Sequence, residues 1–145
     1  MTVGHIVRCD EGEVCDLGII KMRVLADARA SDGKLAVLEF TGREGPWTVP
    51  HAHNETEESF YVLAGTFDFI CAEQELTLSQ GDYLLVPRGT AHMITAHSGG
   101  GTLLGINAPA GLEDMFRELS QLPADSVRDP ATRREISQKF DAVPV

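Results

Sequence analysis

The chain has 145 residues, a length that suits one ordinary folded domain better than two. Its formal net charge of −10 at pH 7 argues against nucleic acid and anionic membrane surfaces as partners, because both attract a positive field. The proportions of apolar and charged residues are those of a soluble globular protein. The charge does not itself identify a partner, and solubility is its simpler explanation.

Signals of cellular location are weak but consistent. No apolar run approaches the ~20 residues that a membrane helix needs, and the start of the chain lacks the basic and apolar regions of a secretion signal. Cys9, Cys15 and Cys71 form an odd set without a C-x-x-C pair. We therefore expect reduced thiols in a cytoplasmic protein.

Alternating apolar and polar residues predict an all-β chain up to about residue 109. Over residues 19–26, apolar residues on one face of the strand alternate with Lys21 and Arg23 on the other, as in a half-buried strand. Polar residues 28–34 end in a turn signal, and the serine and glycines of 98–101 predict a flexible connection. The remaining strands are predicted at 35–40, 60–63, 66–71, 76–78, 83–86, 92–97 and 102–106. Short strands broken by such turns favour a barrel or a double-sheet jelly roll.

The periodicity becomes helical near the end of the chain. Apolar residues at helical spacing predict an amphipathic helix over 111–122, which Pro123 ends. A second helix is predicted to start with Asp129 as its cap and Pro130 in its first turn, and to continue to Phe140. We expect these helices to cover either a barrel mouth or a dimer surface.

Residues able to carry chemistry concentrate between the strands of this predicted barrel. His51 and His53 are two residues apart, so an extended chain would point both imidazoles to one face. A turn over 54–57 would then return the Glu58 carboxylate towards them. His92 is a fourth candidate, from a separate glycine- and proline-containing stretch farther along the chain.

These residues occur in two spaced motifs. The first, G-x5-H-x-H-x4-E-x6-G, is complete from Gly45 to Gly65. The second, G-x5-P-x-G-x2-H-x3-N, begins at Gly81 and holds until its last position, where Ala96 replaces Asn. Both motifs, in this order, are typical of the cupin superfamily, and the chain resembles small single-domain cupins, including those similar to quercetin dioxygenases. The resemblance covers roughly residues 35–109.

The resemblance implies a fold and an assembly. It implies an all-β, double-stranded β-helix (jelly-roll) barrel with short C-terminal α-helices. In this chain the barrel would occupy about residues 14–109 and the helical extension about 111–141, within one domain that spans 1–145. Because cupins are often dimers, we also expect a homodimer.

The resemblance further implies that His51, His53, Glu58 and His92 bind one divalent transition metal. Three imidazoles and one carboxylate suit Fe, Mn, Ni, Co, Cu or Zn, whereas Ca²⁺ and Mg²⁺ prefer oxygen ligands. A divalent ion with one carboxylate leaves a positive site that favours an oxyanion, an enolate or a dioxygen-derived anion. Glu58 is both a candidate ligand and a candidate catalytic base. Without a metal, these polar groups would need other partners in an apolar interior.

Strand parity predicts the surroundings of this site. The predicted substrate-pocket residues share parity with the ligands: Trp47, Phe60, Ile94 and Ala96, together with Val49 and Val62. Such a pocket suits a carbocyclic or aromatic substrate, although plain core packing is the alternative for every member. Arg88 is either an anion contact or an exposed turn residue, while His97 is predicted to face outward and His5 to have no role.

Three classes of function fit these predictions. The first is a quercetinase-like dioxygenase that acts on a small enol-containing or aromatic substrate. The second is a metal-dependent isomerase, cyclase or decarboxylase without redox chemistry. The third is a small-molecule-binding barrel without turnover. No helix-turn-helix or basic stretch accompanies the predicted barrel, which argues against a transcription factor.

Overall fold

Two long antiparallel strands organise the fold. The computed structural model describes residues 3–145, apart from the side chain of Val127. Strand β6 (Glu57–Cys71) pairs with β9 (His92–Ala108) along almost its whole length. The other strands are shorter: β1 (Val14–Asp16), β2 (Ile20–Ala26), β3 (Ala36–Gly42), β4 (Gly45–Pro46), β5 (His51–Ala52), β7 (Gln74–Ser79), β8 (Tyr83–Val86) and β10 (Val143–Pro144).

Each long strand belongs to two sheets. The first half of β6 and the second half of β9 lie in one sheet, in the order β1-β2-β3-β9-β6-β8. The other halves of the two strands pair with each other, and β7, β4 and β5 flank them; β10 adds to β5. All of these pairings are antiparallel. The predicted jelly-roll barrel is therefore confirmed.

The long strands change sheet where glycines pack against one another. Gly101 pairs with Gly42 on one side and with Gly65 on the other. A Cβ on Gly65 would collide with the carbonyl oxygen of Gly100, and a Cβ on Gly100 would collide with that of Gly42. The predicted flexible connection at 98–101 is therefore wrong. These residues lie inside β9, where neighbouring backbones approach too closely for a side chain.

Most predicted strands lie inside observed ones, and two segments differ from the prediction. The strands predicted at 60–63 and 66–71 are two parts of β6, since pairing with β9 continues across Gly65 with local register shifts. The polar segment 28–34 contains a short helix, α1 (Ala28–Ser31). Asp27 caps this helix, because its side chain accepts a hydrogen bond from the backbone N–H of Ala30 at 3.0 Å.

Inward-facing apolar side chains fill the barrel. Large members of this core are less than a tenth exposed: Met22, Leu38, Phe40, Trp47, Phe60, Val62, Phe67, Phe69 and Leu103. Trp47 and Phe67 meet edge to face, with ring centroids 4.9 Å apart. The cysteines Cys9, Cys15 and Cys71 are free thiols, of which the last two are buried.

The C-terminal residues form helices that cover one end of the barrel: α2 (Leu112–Ser120), α3 (Ala124–Arg128), α4 (Pro130–Ser137) and a 3₁₀ turn (Gln138–Phe140). Two of them match the predicted helices, whereas α3 was not predicted. They share a second small core, made of Met115, Leu119, Ile136 and Ala142. Of the predicted positions, the barrel mouth is the one they occupy. None of the described helices combines the length and apolarity needed to cross a membrane.

The buried carboxylate of Glu113 links α2 to the first residue of α1. Glu113 is fully buried, and its carboxylate accepts hydrogen bonds from the backbone N–H of Ala28, at 2.9 Å, and from that of Gly111. Phe116 packs edge to face on Phe40, with ring centroids 5.3 Å apart. These contacts hold α2 over the barrel opening, which lies above the candidate site.

Candidate metal centre

Four side chains meet at one end of the barrel interior. His51 lies on β5, His53 follows that strand, Glu58 is near the start of β6, and His92 begins β9. One candidate ligand atom from each residue lies within 4.8 Å of the others. His53, Glu58 and His92 are buried, and His51 is half-buried. The fold thus assembles the four residues that the motifs single out.

The H-x-H segment is extended only in part. Strand β5 ends at Ala52, so His53 lies beyond it, and its carbonyl oxygen accepts a hydrogen bond from the Gly89 N–H at 2.7 Å. The rings of His51 and His53 still face a common centre, with centroids 4.9 Å apart. Direct pairing of His51 with His92 across β5 and β9 brings those two rings to 4.3 Å.

Backbone carbonyls orient all three imidazoles. In each ring Nδ1 lies at hydrogen-bond distance from a carbonyl oxygen, and only a protonated Nδ1 can donate to it. The acceptors are Val49 for His51 (2.7 Å), Asp141 for His53 (2.8 Å) and Thr90 for His92 (3.0 Å). Each Nε2 is then left with a lone pair, the form in which histidine binds metals.

The donor set fits a divalent transition metal. Oε1 of Glu58 lies 3.0 Å from Nε2 of His92 and 3.4 Å from Nε2 of His53. In each contact a lone pair of the carboxylate oxygen faces a lone pair of an imidazole nitrogen, so a proton or a cation must lie between the two atoms. Nε2 of His53 is buried and lacks a hydrogen-bond partner, a state that costs ~1–3 kcal/mol. A metal ion bound by all four side chains would satisfy these atoms, and the mixed nitrogen and oxygen set suits Fe, Mn, Ni, Co, Cu or Zn.

Electrostatics favour the protonation state of a metal ligand at Glu58 and His51, but not at His53. Burial would raise the pKa of Glu58, but its close contacts with the imidazoles of His53 and His92 outweigh burial and hold that pKa well below its usual range. Burial, together with the nearby His92, lowers the pKa of His51 to about 4. Burial also opposes protonation of His53, yet the close Glu58 carboxylate outweighs burial and raises the His53 pKa. At neutral pH, Glu58 is therefore a carboxylate and His51 a neutral imidazole.

Asp141, near the C-terminus, holds the turn that carries this site. Its carboxylate accepts hydrogen bonds from the backbone N–H of Asn54 at 2.9 Å, the N–H of Glu55 at 3.0 Å and the hydroxyl of Thr56 at 3.0 Å. Its carbonyl oxygen is the acceptor that orients His53. Sequence reasoning missed Asp141, because it lies outside both motifs and contacts a turn more than eighty residues away.

An apolar cavity of about 280 Å³ opens onto His51, His53 and Glu58. The barrel lines it with apolar side chains that include Phe40, Trp47, Phe60, Ile94 and Leu103. Helix α2 closes it from outside with Leu112, Met115, Phe116 and Leu119. Most of the wall is thus apolar and aromatic, and its polar groups come from the candidate metal centre, from Thr48 and from the C-terminal helices.

The predicted pocket residues have different positions. Trp47, Phe60 and Ile94 line the cavity, whereas Ala96 is buried between β4 and β6 and does not line it. Val49 lines the cavity from an exposed position, and Val62 is buried in the core away from it. The other candidates lie outside: Arg88 is exposed, and His97 pairs with Asp68 on the outer surface at 2.8 Å.

Asn107 is a second residue that sequence reasoning missed. It is 1% exposed and lies opposite Glu58 in the β6–β9 pair. Neither polar atom of its side chain has a hydrogen-bond partner among the described residues. Its position in an apolar strand, at inward parity, is the signal that could have revealed it.

Fold and site together define a class: a small jelly-roll barrel with a candidate mononuclear metal centre beneath an apolar cavity. Comparisons with known proteins agree. The family model described as Cupin domain matches residues 39–104. Quercetin 2,3-dioxygenase of Bacillus subtilis (strain 168) is 31% identical over 117 residues, which cover 81% of this chain and 35% of that protein. The chain thus spans about a third of that relative's length.

Solved structures share the fold. KdgF from Halomonas sp. superimposes with a TM-score of 0.67 at 21% identity, covering 74% of this chain and 94% of that one. Pac13 of Streptomyces, described as a nucleoside dehydratase, gives a TM-score of 0.63 at 17% identity, covering 77% and 88%. At such identities these structures establish the fold alone. The chain thus has the fold of these structures, contains a match to the cupin domain over residues 39–104 and is similar to quercetin 2,3-dioxygenase.

Proposed function

We propose that this cupin is a metal-dependent enzyme with quercetinase-like dioxygenase activity on a small enol-containing or aromatic substrate. The observation that carries the proposal is the convergence of His51, His53, Glu58 and His92 on one centre that opens into an apolar cavity. The resemblance to quercetin 2,3-dioxygenase supports the reaction class. A bound metal would supply a Lewis acid for the substrate oxygen and a site for O2.

Different residues of the chain would have different roles in the reaction. Trp47, Phe60 and Ile94 would hold an apolar ring and exclude water, because their side chains form the barrel wall of the cavity. Backbone hydrogen bonds at Nδ1 would keep the imidazoles in place while a substrate enters. Glu58 would either bind the metal or accept the proton of a substrate hydroxyl.

Cellular location, domain organisation and oligomeric state complete the proposal. We propose a cytoplasmic protein whose residues 1–145 form one domain and whose chains pair as a homodimer. Size-exclusion chromatography with light scattering would measure the molar mass in solution. A monomer would contradict the dimer without affecting the proposed activity.

Metal content and oxygen uptake test the activity directly. Protein purified without chelator is analysed by mass spectrometry, then stripped and reloaded with Fe, Mn, Ni, Co, Cu or Zn, one metal at a time. We expect one ion per chain, and oxygen uptake with quercetin or a simpler enol in at least one loaded form. His53→Ala should lose both metal and uptake. Unchanged metal content in that variant would place the metal elsewhere, and turnover without O2 would replace the dioxygenase by a non-redox reaction.

Glu58→Gln separates the two roles of Glu58. The amide keeps the shape of the side chain but loses its charge and most of its basicity. If Glu58 is a ligand, metal content falls together with turnover. If Glu58 is the proton acceptor, metal content stays near the wild-type value and turnover alone falls, by ~10²–10⁴-fold.

A further inference from the structure

The charges of the cavity are opposite to the charge of the molecule. The chain carries a formal net charge of −10. Yet three arginines, Arg128, Arg133 and Arg134, line the cavity, and Glu58 is the one acidic side chain among its lining residues. The arginines come from α3 and α4, whereas the candidate metal ligands that line the same cavity come from the barrel. In an acidic protein, such a concentration of positive charge at one cavity needs a physical reason.

These arginines have no acidic partner within the described part of the chain. Arg23 binds Glu39, and Arg117 binds three carboxylates at 2.8–2.9 Å. By contrast, none of the described ion pairs or side-chain hydrogen bonds involves Arg128, Arg133 or Arg134. The cavity arginines are therefore free to bind a ligand. Arg8, Arg29, Arg43 and Arg88 also lack ion pairs among the described residues, but none of them lines the cavity.

Arg133 is the central member of the three. It is half-buried, whereas Arg128 and Arg134 are exposed at the cavity rim. Burial lowers the pKa of its guanidinium, because no carboxylate offsets the loss of water. Its helix is fixed at both ends, since the Asp129 carboxylate caps the N–H of Thr132 at 3.1 Å and Ile136 is buried in the second core. Arg133 is thus held at the cavity without a counter-charge.

We propose that Arg133, supported by Arg128 and Arg134, forms an anion-binding subsite for a carboxylate or phosphate group on the substrate. This inference rests on the proposed function: one end of the substrate would reach the metal centre, and the anionic group would face α4. A planar guanidinium binds either anion through two parallel hydrogen bonds, and the apolar walls strengthen the interaction by excluding water. The substrate would then be an anionic ring compound or enol, in preference to a neutral flavonol.

Matched ligands test the subsite on the full chain. Catechol binds a metal through two oxygens, 3,4-dihydroxybenzoate adds a carboxylate, and 3,4-dihydroxyphenylphosphonate adds a phosphoryl group. Their affinities for the nickel-loaded chain are measured by anaerobic titration calorimetry. We expect at least one anionic ligand to bind about tenfold or more tighter than catechol, which corresponds to about 1.4 kcal/mol. The tighter of the two identifies the anion.

Substitutions of the arginines test which residues cause the preference for anionic ligands. Arg133→Gln should bring the anionic-to-neutral affinity ratio close to one while leaving catechol affinity and nickel content unchanged, and Arg133→Lys should restore part of it. Arg88→Gln is the matched control, because Arg88 is exposed outside the cavity and should not affect the ratio. If Arg133→Gln folds poorly, the double variant Arg128→Gln/Arg134→Gln, at exposed positions, should still lower the ratio.

The outcomes separate this subsite from the proposed function. Wild-type protein that binds all three ligands equally would overturn the subsite and leave the metal-centred function intact. Wild-type protein that holds nickel but does not bind catechol would contradict the metal-centred function. In that case the subsite would stand if an anionic ligand still bound in an Arg133-dependent manner, and it would fall if none bound.

Discussion

The barrel and the C-terminal segment contribute to the same site in different ways. The barrel provides all four candidate ligands and the aromatic wall of the cavity. The C-terminal segment (110–145) provides no ligand, but it orients His53, holds the turn before Glu58 through Asp141, and closes the cavity with α2. The barrel thus determines which chemistry is available. The C-terminal segment determines how accurately the candidate ligands are oriented and how a substrate reaches them.

The largest effect is expected from the barrel. His92→Ala removes a buried candidate ligand and should abolish stoichiometric metal binding, measured by mass spectrometry after gel filtration. His97→Ala is the control on the same strand, because His97 faces the outer surface and pairs with Asp68. We expect wild-type metal content in that control. Equal metal content in both variants would show that the barrel cluster is not the metal site.

A smaller but specific effect is expected at Asp141. Asp141→Gly removes the carboxylate, and glycine tolerates the left-handed backbone, with φ of 58°, that this residue adopts. Loss of three hydrogen bonds to residues 54–56 should weaken metal affinity by ~10–100-fold, as expected for groups that orient ligands. Competition with a chromophoric chelator measures this affinity.

Asp129→Ala is the control within the same segment. Asp129 caps α4 and does not touch the turn before Glu58, so its loss should lower the free energy of unfolding without a change in metal affinity. If both variants weakened metal binding equally, general stability of the segment, rather than Asp141, would control the site.

Packing of the segment on the barrel should affect stability more than chemistry. Leu119 is 4% exposed in the second core and also lines the cavity. Leu119→Ala should lower the free energy of unfolding by ~2–5 kcal/mol in urea denaturation, with one metal still bound per chain. Leu85→Ala is the control, since Leu85 is 49% exposed and its loss should change stability by less than ~0.5 kcal/mol. Equal losses would contradict the packing role of α2.

The smallest effect concerns acid stability where the segment meets the first strands. The hydrogen bond from Arg117 holds the pKa of Asp27 below its usual value. Its stabilisation is therefore present above the unfolded pKa, ~3.9, and is lost as the pH falls through the folded pKa. Asp27→Asn keeps the helix cap but should lower stability at pH 6 by ~0–1 kcal/mol, and the difference should shrink as the pH falls below the unfolded pKa. Asp114 pairs with the same Arg117 but is more exposed. Asp114→Asn should therefore lower the thermal unfolding temperature by less than Asp27→Asn does.

Residues close in sequence made much of the site predictable. His51 and His53 share a face because an extended chain repeats every two residues, and the spacing to Glu58 requires a turn. Likewise, alternation predicted most strand positions, and helical spacing together with the Asp129-Pro130 cap predicted α2 and α4. In each case the physical cause acts over a few residues, so it is visible in one sequence.

Long-range contacts decided the rest. In the sequence, the glycines at 99–101 resemble a flexible linker. In the fold they pack against Gly42 and Gly65, where the backbones of neighbouring strands come so close that a side chain would not fit. Asp141 and Arg133 look like ordinary polar residues of a helical tail. Only packing of that tail on the barrel brings one to the turn before Glu58 and the other to the cavity. The sequence by itself therefore determined the barrel and its candidate ligands, whereas tertiary structure decided how those side chains are oriented and what the cavity can hold.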